Sequence, residues 1–393
     1  MKTLLTFNAG SSTVKIGLFE LSPDGPVRLA RGVIDFRHDP LTLRVSGGEQ
    51  RIEAALEARP GAELSGILSG TLAILGRHFD LGEVAAAGHR VVHGGDRFDG
   101  PVRLDEENIA AIDALTVLAP LHQPQSLRLI RAIGSVLPDL PQVASFDTAF
   151  HRTNDALVRR FAIPRALHDR GIKRYGFHGL SYKYIAGELA RLAPERAGGK
   201  VVVAHLGSGA SLCGLGNGIS RDTSMGFSTL DGIPMATRCG ALDPGVLLHL
   251  LGQEGLALRE MEVLLYHKSG LLGVSGISAD SRDLLESDAP EAKEAIDLFT
   301  LRISGEVARL ANTLGGLDAV VFTAGVGENQ PKVRAGVCGR LGWLGLDLDP
   351  IANAANAVLI STPESRMAAF VIPTDEEQVI AEETVSSLAD AGG

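Results

Sequence analysis

The most constraining feature of this sequence is a strand-turn-strand unit that occurs twice. Near the start, an apolar run leads into the turn N-A-G-S-S-T at residues 8–13 and continues as V-K-I-G-L-F-E-L. The second copy begins with K-V-V-V-A-H-L at Lys200, passes through G-S-G-A-S and continues as L-C-G-L-G-N-G. Self-similarity along a chain is the mark of repeated structural units. The sequence therefore predicts two related domains.

The segments between and after these units indicate an α/β fold. A third strand with a glycine-rich turn is A-V-V-F-T-A-G-V-G-E-N at residues 319–329, and Pro331 marks the start of a following helix. Apolar residues recur at helical spacing over residues 290–314 and 375–388. Alternating strands and helices predict two α/β domains that face each other across a cleft. We expect one domain at residues 1–150 with a returning C-terminal helix at 375–393, and the other at 151–374.

Composition excludes several classes of protein. The 393 residues are 45% hydrophobic, enough for two cores, and 47 acidic against 37 basic side chains give a net charge of −10. No broad basic surface is expected for nucleic acid or an anionic membrane. The sequence shows neither a signal peptide nor a membrane-spanning apolar run. Cys213, Cys239 and Cys338 lie far apart, which excludes a disulfide framework, suits a reducing compartment and predicts a cytoplasmic protein.

The three glycine-rich turns are candidate phosphate sites. Small residues after a strand allow several backbone N–H groups to converge on a phosphate. Each turn alone is better explained as a simple connection between strands, but together with the duplication the three turns favour a nucleotide site. The sequence contains no P-loop, no protein-kinase catalytic loop and no dinucleotide-binding fingerprint. Lys15, just past the first turn, is either a phosphate contact or an exposed strand lysine.

Three charged residues interrupt apolar or glycine-rich segments. Arg90 lies in A-A-A-G-H-R-V-V-H-G-G, and a buried arginine must meet an anion, either an internal carboxylate or a bound substrate carboxylate. The following glycine pair favours a site. Asp147 ends the apolar run V-A-S-F-D, where a strand passes into a loop. Arg238 lies in a loop rich in glycine and proline, a composition typical of functional loops. The histidine spacing does not indicate a zinc site.

These motifs, taken in order, resemble those of the acetate kinase family, within the acetate and sugar kinase, Hsp70 and actin superfamily. The matching segments are N-A-G-S-S-T-V-K, H-R-V-V-H-G-G, F-D-T-A-F-H, G-F-H-G-L-S, H-L-G-S-G-A-S, the block from D-T-S-M-G-F to T-R-C-G, F-T-A-G-V-G-E-N and T-D-E-E. The resemblance covers nearly the whole chain. It implies two duplicated RNase H-like (actin-like ATPase) domains, with the acyl substrate and first phosphate loop in the first and the nucleotide in the second.

The resemblance also implies a role for individual residues. The implied catalytic residues are Asp147, His178 and Arg238. The implied substrate ligands are Arg90, on the carboxylate, and Val92, Leu121 and Phe177, around the acyl group. The implied nucleotide site comprises Lys15, His205, Leu206, Gly207, Ser208, Gly209, Asp280, Ser281, Arg282, Gly325, Val326, Gly327, Glu328 and Asn329. Asn8 and Glu376 are implied at a Mg²⁺ site, with Mn²⁺ as an alternative ion and Glu377 as an alternative ligand.

The implied activity is reversible transfer of the γ-phosphoryl group of ATP to acetate, which gives acetyl phosphate and ADP in a direct in-line step. The family also implies a homodimer. The sequence departs from the commoner family pattern at Tyr182, Ser208, Cys239 and Thr229. Because Thr229 replaces a proline of the acyl pocket, a propionate or butyrate kinase stays open. A sugar kinase would need a carboxylate base and a polar pocket, and an actin-like or Hsp70-like switch would lack a second anion clamp.

Overall fold

The computed structural model describes residues 2–10, 13–56 and 63–390, so Ser11 and Ser12 of the first predicted turn lie outside the described residues. The described residues divide into two compact units: those up to Phe150 together with those from Asp375 onward, and His151–Thr374. The strands of the first unit are β1 (Lys2–Ala9), β2 (Thr13–Ser22), β3 (Gly25–Asp35), β4 (Thr42–Gly47), β5 (Gln50–Ala55), β6 (Glu83–Val91), β7 (Val102–Arg103) and β8 (Gln142–Phe146). Those of the second unit are β9 (Lys200–Leu206), β10 (Ala210–Gly216), β11 (Ile219–Thr223), β12 (Ala319–Thr323) and β13 (Ala368–Val371).

The helices follow the predicted pattern in the segments where periodicity was clear. In chain order they are α1 (Leu64–His78), α2 (Glu106–Ala114), α3 (Gln123–Val136), α4 (Arg165–Asp169), α5 (Gly179–Leu192), α6 (Pro194–Ala197), α7 (Pro244–Gly252), α8 (Leu258–His267), α9 (Gly270–Ser275), α10 (Ser281–Glu286), α11 (Pro290–Leu314), α12 (Ala324–Asn329), α13 (Pro331–Gly339), α14 (Pro350–Ala354) and α15 (Glu376–Asp390). Short 3₁₀ helices cover Leu115–Leu118, Asp147–Thr153 and Gly342–Leu344. The predicted helices over 290–314 and from Pro331 are confirmed. None of these helices is long and apolar enough to cross a membrane.

The same arrangement of strands occurs in both units. The strand order is β5-β4-β3-β2-β1-β6-β8-β7 in the first sheet and β11-β10-β9-β12-β13 in the second. Each sheet contains a hairpin, β1-β2 in the first sheet and β9-β10 in the second. The first strand of each hairpin also pairs in parallel with a later strand, β1 with β6 and β9 with β12. A second parallel pair follows, β6-β8 or β12-β13. The predicted duplication of an α/β unit is confirmed.

The central strand of the first sheet is buried on both faces, which explains its continuous apolar run. Leu5 and Phe7 of β1 belong to one core with side chains of α1 and α3. Leu4 points the other way and packs with Phe19 and Ala381, the latter from α15. Since successive strand residues alternate between faces, α15 covers the face opposite α1 and α3.

Gly88 of β6 allows α15 to lie directly on the sheet. A Cβ at this position would lie 2.3 Å from Oγ1 of Thr384 and 2.6 Å from Cγ2 of Ile380. Helix α15 begins one residue after the predicted start because the Asp375 side chain accepts a hydrogen bond from the backbone N–H of Gln378 at 3.1 Å, which caps the helix. The close packing fixes where its first turn lies.

The core of the second unit is built on one long helix. Helix α11 contacts β9, β10 and β11, and its buried face carries Phe299, Ile303 and Val307. It ends at Gly315, whose φ of 69° is the left-handed conformation common after a helix. Strands β9 and β12 are buried along their interiors and pair in parallel, so their C-terminal ends meet at one edge of the sheet.

Candidate active site

Three parallel strands of the first unit end close together and carry the predicted polar residues. Asn8 is near the end of β1, Arg90 is the penultimate residue of β6, and Asp147 directly follows β8. In the sheet, Arg90 pairs in register with Ser145 of β8. The C-terminal edge of a parallel sheet is where ligands bind in open α/β folds. The predicted position of Asp147 at a strand end is confirmed.

Arg90 lies at the centre of this group. Its Nη2 donates to Oδ2 of Asp147 at 2.6 Å, and its Nε lies 3.1 Å from Oδ1 of the same carboxylate. Its Nη1 donates to Oδ1 of Asn8 at 3.2 Å. Asp147 is fully buried, whereas the Arg90 side chain keeps 15% of its surface exposed. The expectation that Arg90 meets an anion is confirmed, and the anion within this unit is Asp147.

The first turn of α15 adds two more carboxylates. The amide Nδ2 of Asn8 donates to Oε2 of Glu376 at 2.7 Å and to Oε1 of Glu377 at 2.9 Å. Glu376 is buried and Glu377 is half-buried. The start of a helix favours negative side chains, and Asp375 anchors this turn further through an ion pair with Arg28. We call Asn8, Arg90, Asp147, Glu376 and Glu377 the carboxylate cluster.

The charges of the carboxylate cluster do not balance. Burial alone lowers the pKa of Arg90, but the negative charges of Asp147, Glu376 and Glu377 outweigh it and raise the pKa above the usual value. Three carboxylates thus surround one guanidinium. Within residues 2–10, 13–56 and 63–390, no group of three or more His, Cys, Asp or Glu side chains is arranged to hold a metal on its own. A cation at this cluster would need further oxygen ligands from water or substrate.

The segment after β6 is held rigid by side chains that the sequence analysis did not single out. The Gln123 amide bonds both backbone groups of His93, with its Oε1 3.3 Å from N and its Nε2 2.8 Å from O. The N–H of Gly94 donates to Oγ1 of Thr148 at 2.8 Å. These partners are distant in sequence. The only sequence signal for their role in holding this segment was Gln123, a buried polar residue in an otherwise amphipathic helix. Val92 is buried within this braced segment.

In the second unit His178 occupies an unusual backbone conformation. It precedes α5 with φ 57° and ψ 26°, in the left-handed region that few non-glycine residues adopt. Its Nδ1 lies 2.8 Å from Oγ of Ser211 on β10. The Tyr182 hydroxyl, one turn into α5, lies 2.5 Å from the same Oγ. Ser211 and Tyr182 therefore fix the orientation of the His178 ring.

A second histidine stacks on the first. The rings of His178 and His205 have centroids 4.2 Å apart and an interplanar angle of 17°. Nδ1 of His205 lies 2.8 Å from Oγ of Ser181, which in turn lies 2.8 Å from Oγ1 of Thr374. His205 is the penultimate residue of β9, so the stack lies at the C-terminal edge of the second sheet.

Arg238 lies near the turn His205–Gly209, and no carboxylate among the described residues pairs with it. Its Nη1 lies 3.3 Å from the backbone oxygen of Thr229 and 3.9 Å from Sδ of Met235. In the described part of the chain no Asp or Glu forms an ion pair with it. Burial lowers its pKa, although the charge of Tyr266 acts against this. A half-buried cation that meets only neutral acceptors is suited to bind an anion.

Gly209 lies close to both the Arg238 and the His178 side chains. A Cβ built on Gly209 would lie 3.6 Å from Nε2 of His178 and 3.7 Å from Nη1 of Arg238. Both polar atoms therefore face the turn His205–Gly209. We call His178, His205, Gly209, Ser211 and Arg238 the histidine-arginine cluster.

The third glycine-rich segment differs from its prediction. Residues 325–329, predicted as a glycine loop after a strand, lie in the short helix α12, whose first residue, Ala324, has φ 64°. Its shape is held by Arg334, which is fully buried and donates from Nη1 to the carbonyls of Gly327 at 2.8 Å and Glu328 at 3.0 Å. A Cβ on Gly325 would meet nothing within 4 Å, so this face of the turn is open.

Other predicted residues lie in varied surroundings. Lys15 is exposed on β2 directly opposite Asn8. Asp280 caps α10, and its carboxylate pairs with Arg282 at 2.5 Å. Phe177 is buried and Leu121 is 47% exposed. The remaining predicted nucleotide residues divide between buried positions, at Leu206, Ser281 and Gly327, and more open ones, at Gly207, Ser208, Val326, Glu328 and Asn329.

The structure thus brings the predicted residues together in two groups. Asn8, Arg90, Asp147 and Glu376 meet in the first unit, and His178, His205, Gly209 and Arg238 meet in the second. The Asp280 carboxylate accepts from the backbone N–H of Arg282 at 2.9 Å and from its Nη2 at 2.5 Å, which joins these two predicted residues to each other at the start of α10. The role of every one of these residues stays a prediction.

Comparison with known proteins places the chain among small-acid kinases. The model of the acetokinase family matches residues 3–382. An acetate kinase from Nitrobacter hamburgensis is 46% identical, over 99% of this chain and 97% of that protein. A propionate kinase structure from Francisella tularensis has a TM-score of 0.90 and 35% identity, over 98% of this chain and 99% of the other. An acetate kinase structure from Porphyromonas gingivalis has a TM-score of 0.86 and 35% identity, over 99% and 100%. The predicted actin-like ATPase fold, in duplicate, is confirmed.

Proposed function

Since the chain belongs to the acetokinase family, we propose that it catalyses reversible transfer of the γ-phosphoryl group of ATP to acetate, giving acetyl phosphate and ADP. The O–P bond to acetate forms as the bond between the γ-phosphorus and the β,γ-bridging oxygen breaks, so the bridging oxygen leaves on ADP. The observation that carries the proposal is the half-buried Arg238, which faces Gly209 beside His178 and has no carboxylate partner among the described residues. This is a site for an anion.

The chemistry requires charge stabilisation more than proton transfer. A small carboxylic acid has a pKa of roughly 4, so acetate is already ionised at neutral pH and needs no general base. The difficulty is that one anion must approach another and that negative charge spreads over the transferring oxygens. Preorganised cations and donors address this directly.

In the proposed assignment, Arg90 binds the acetate carboxylate and Asp147 sets its orientation. The paired contacts between Arg90 and Asp147 restrict the guanidinium to one plane, while 15% of the Arg90 side chain stays accessible. Arg238 and His178 contact the transferring phosphoryl group. The bond from His178 Nδ1 to Ser211 leaves Nε2, the atom nearer Gly209, as the functional end of the ring.

The nucleotide is proposed to bind at the turns after β9 and β12. These turns are residues 205–209 and 325–329. They follow neighbouring strand ends, since His205 of β9 pairs in register with Thr323 of β12. Backbone N–H groups and an open glycine face suit a phosphate chain. Lys15 and the segment Asp280–Arg282 are proposed to complete the site. The second unit would then be the nucleotide-binding domain and the first unit the acyl-binding domain.

Magnesium fits the carboxylate cluster. Its carboxylates outnumber its single guanidinium, and oxygen donors are those that Mg²⁺ and Mn²⁺ prefer. Mg²⁺ is commonly held by one or two carboxylates together with waters and substrate phosphates, which agrees with a cluster that lacks a full protein ligand set. Asn8 and Glu376 are the proposed ligands. When bound, the ion would neutralise charge on the transferring phosphate.

A longer acyl substrate is the second candidate. One structurally similar protein is a propionate kinase. In this chain the buried Thr229 stands where the family resemblance implies a proline of the acyl pocket. The Thr229 backbone oxygen also accepts from Nη1 of Arg238 at 3.3 Å. Propionate is therefore the alternative acceptor in the test.

A homodimer in the cytoplasm is proposed as the working form. Helix α7 and its flanks expose Leu242, Val246, Leu248 and Leu258, which suits contact with a second copy. The free thiols of Cys213, Cys239 and Cys338 suit a reducing compartment.

The proposal is tested by trapping acyl phosphate with hydroxylamine in the presence of ATP and Mg²⁺. Acetate, propionate, butyrate and glycerol are compared at equal concentration, and Arg238→Ala serves as the matched inactive variant. The highest kcat/KM with acetate supports the proposal. A higher kcat/KM with propionate favours the second candidate. Absence of acyl phosphate with every acid would refute the proposed kinase activity.

A further inference from the structure

The left-handed backbone at His178 needs a cause in the surrounding structure. Gly176, two residues earlier, also has positive φ, at 84°. Residues in such conformations persist only where neighbouring groups hold them, and they concentrate at functional sites. Ser211 holds the His178 side chain, and the backbone N–H of Gly176 donates to the carbonyl of Gly226 at 3.4 Å. A further group contacts the segment Gly176–His178 directly.

His151 is that group. It lies in the 3₁₀ helix Asp147–Thr153 and is 1% exposed. Its Nε2 lies 3.0 Å from the backbone oxygen of Phe177, the residue directly before His178. A carbonyl oxygen can only accept, so Nε2 of His151 carries the proton. Its Nδ1 is then unprotonated and lies 2.9 Å from Oγ of Ser220, a hydroxyl that also contacts Oδ1 of Asn154 at 2.9 Å.

The imidazole ring of His151 also packs on the same backbone. A Cβ on Gly176 would lie 2.5 Å from Cδ2 and 2.7 Å from Cγ of His151. The ring therefore occupies the space that any side chain at 176 would need. Burial lowers the pKa of His151 to about 4, so the ring is neutral at physiological pH and its donor and acceptor are both defined.

We propose that His151 is a positioning residue: by donating from Nε2 to the Phe177 carbonyl, it holds the Gly176–His178 backbone in the conformation that directs the His178 imidazole at the transferring phosphoryl group. This rests on the proposed role of His178. His151 itself touches no substrate. Its loss should slow turnover while leaving substrate affinity nearly unchanged, because the His178 imidazole would stay present but be misdirected.

A merely structural role makes a different prediction. If His151 only fills the core, any substitution would lower kcat in step with stability. Two near-isosteric amides separate the roles of its two nitrogens. Gln places its Nε2 near the Nε2 of the imidazole and can still donate to Phe177. Asn reaches only as far as Nδ1 and retains the Ser220 contact alone.

The experiment measures kcat, KM for acetate and ATP, and Tm for His151→Gln and His151→Asn. The matched control is Val307→Ala, a fully buried α11 position, which lowers stability away from the site. We expect His151→Asn to lower kcat by about tenfold or more with KM values within roughly twofold, and His151→Gln to stay within about threefold. Unchanged kcat in His151→Asn, equal losses in both amides, or an equal loss in Val307→Ala overturns the proposal.

A measurement on the unmodified protein keeps the proposal testable if the variants do not fold. Nitrogen-15 NMR of the histidine-labelled full chain reports the tautomer of each imidazole. We expect the His151 signal to show a protonated Nε2 and an unprotonated Nδ1 at pH 7.5. The opposite tautomer overturns the proposal, since Nε2 of His151 could then not donate to the Phe177 carbonyl. The tautomer does not depend on activity, so absence of acetyl phosphate from the unmodified protein would refute the proposed function without deciding this point.

Discussion

Arg90 and Asp147 form a two-point ion pair, with Nη2 2.6 Å from Oδ2 and Nε 3.1 Å from Oδ1, at the ends of neighbouring parallel strands. We expect Asp147→Asn to lower the free energy of unfolding by about 3 kcal/mol, because a buried pair loses one partner. Acyl phosphate formation should also fall, since Arg90 loses its orientation. Urea denaturation and the hydroxamate assay measure the two effects.

The matched control for this prediction is Asp113→Asn. Asp113 pairs with Arg131 at 2.7 Å, but both side chains are about half exposed. An exposed pair contributes roughly 0–1 kcal/mol, so this variant should be close to the unmodified protein in both measurements. Equal losses in the two variants would contradict the distinction between the pairs.

Arg238→Met should separate activity from stability. The change removes a half-buried charge that has only neutral acceptors, while the unbranched side chain keeps most of the packing. We expect kcat to fall by about 100-fold or more, with a smaller change in KM, and Tm to stay equal or rise. Steady-state kinetics and thermal unfolding provide the readouts.

The control for Arg238→Met is Arg334→Met. Arg334 is also buried, but all three of its side-chain nitrogens donate hydrogen bonds. It donates to Gly327, Glu328, Asn353 and Asn356, whose acceptor groups would lose their partner. This variant should lose roughly 3 kcal/mol of stability. If Arg238→Met is destabilised as much as Arg334→Met, the view of Arg238 as a cation that lacks an anion is wrong.

Gly209→Ala should fold normally and work poorly. The added methyl group would meet His178 and Arg238 at 3.6–3.7 Å, which is ordinary contact, and no positive φ excludes alanine. Loss of glycine flexibility in the unfolded chain favours the variant by about 0.5 kcal/mol. The methyl group would, however, take the space proposed for the phosphoryl group, so we expect kcat/KM to fall.

The control for Gly209→Ala is Gly66→Ala in α1, where an added Cβ meets nothing within 4 Å. Both variants should match or exceed the unmodified protein in Tm, and only Gly209→Ala should lose activity. Full activity in Gly209→Ala would remove this turn from the proposed path of the phosphoryl group.

Acid should destabilise the protein below neutral pH. Burial lowers the pKa of His89, His93 and His151 to about 4 each. Because the unfolded chain has histidine pKa values near 6.5, it binds more protons between pH 6.5 and 4. Stability is therefore fully present above about pH 6.5 and falls as the pH drops, by up to roughly 2 kcal/mol per histidine at pH 5.

Thermal unfolding at pH 7.5 and 5.0 measures this loss, and His89→Gln tests one contributor. Gln can retain the contact that His89 makes with Gln142 at 2.7 Å but does not titrate. The difference in unfolding free energy between the two pH values should shrink in this variant. An unchanged difference would show that His89 does not contribute.

The sequence predicted those parts of the fold and site that local pattern determines. The apolar run that ends at Asp147 located this residue at a strand end, and the apolar run that Arg90 interrupts was predicted as a buried strand. The repeat predicted matching sheets. The extra strands β4 and β5 were not predicted, because β5 is short and lies at an edge with mostly exposed residues. Residues 325–329 form a helix against expectation because Arg334, a side chain beyond the segment, binds their carbonyls.

Supporting side chains were missed for the same reason. Gln123 and His93 are 30 residues apart, and Ser211 and His178 are 33 apart. No local spacing links such pairs, so their hydrogen bonds follow only from the three-dimensional fold. The acidic residues of α15 were placed by motif resemblance, whereas their contacts with Asn8 became evident only in the structure.

The return of α15 to the first unit has a consequence for how the protein is made. His151–Thr374 is continuous, so the second unit can complete its core while synthesis is still in progress. The first unit cannot, since Ala381 completes the core around Leu4 and Phe19, and Glu376 completes the contacts of Asn8. Its earlier strands therefore keep one face of their sheet uncovered until α15 has been made and can pack on it.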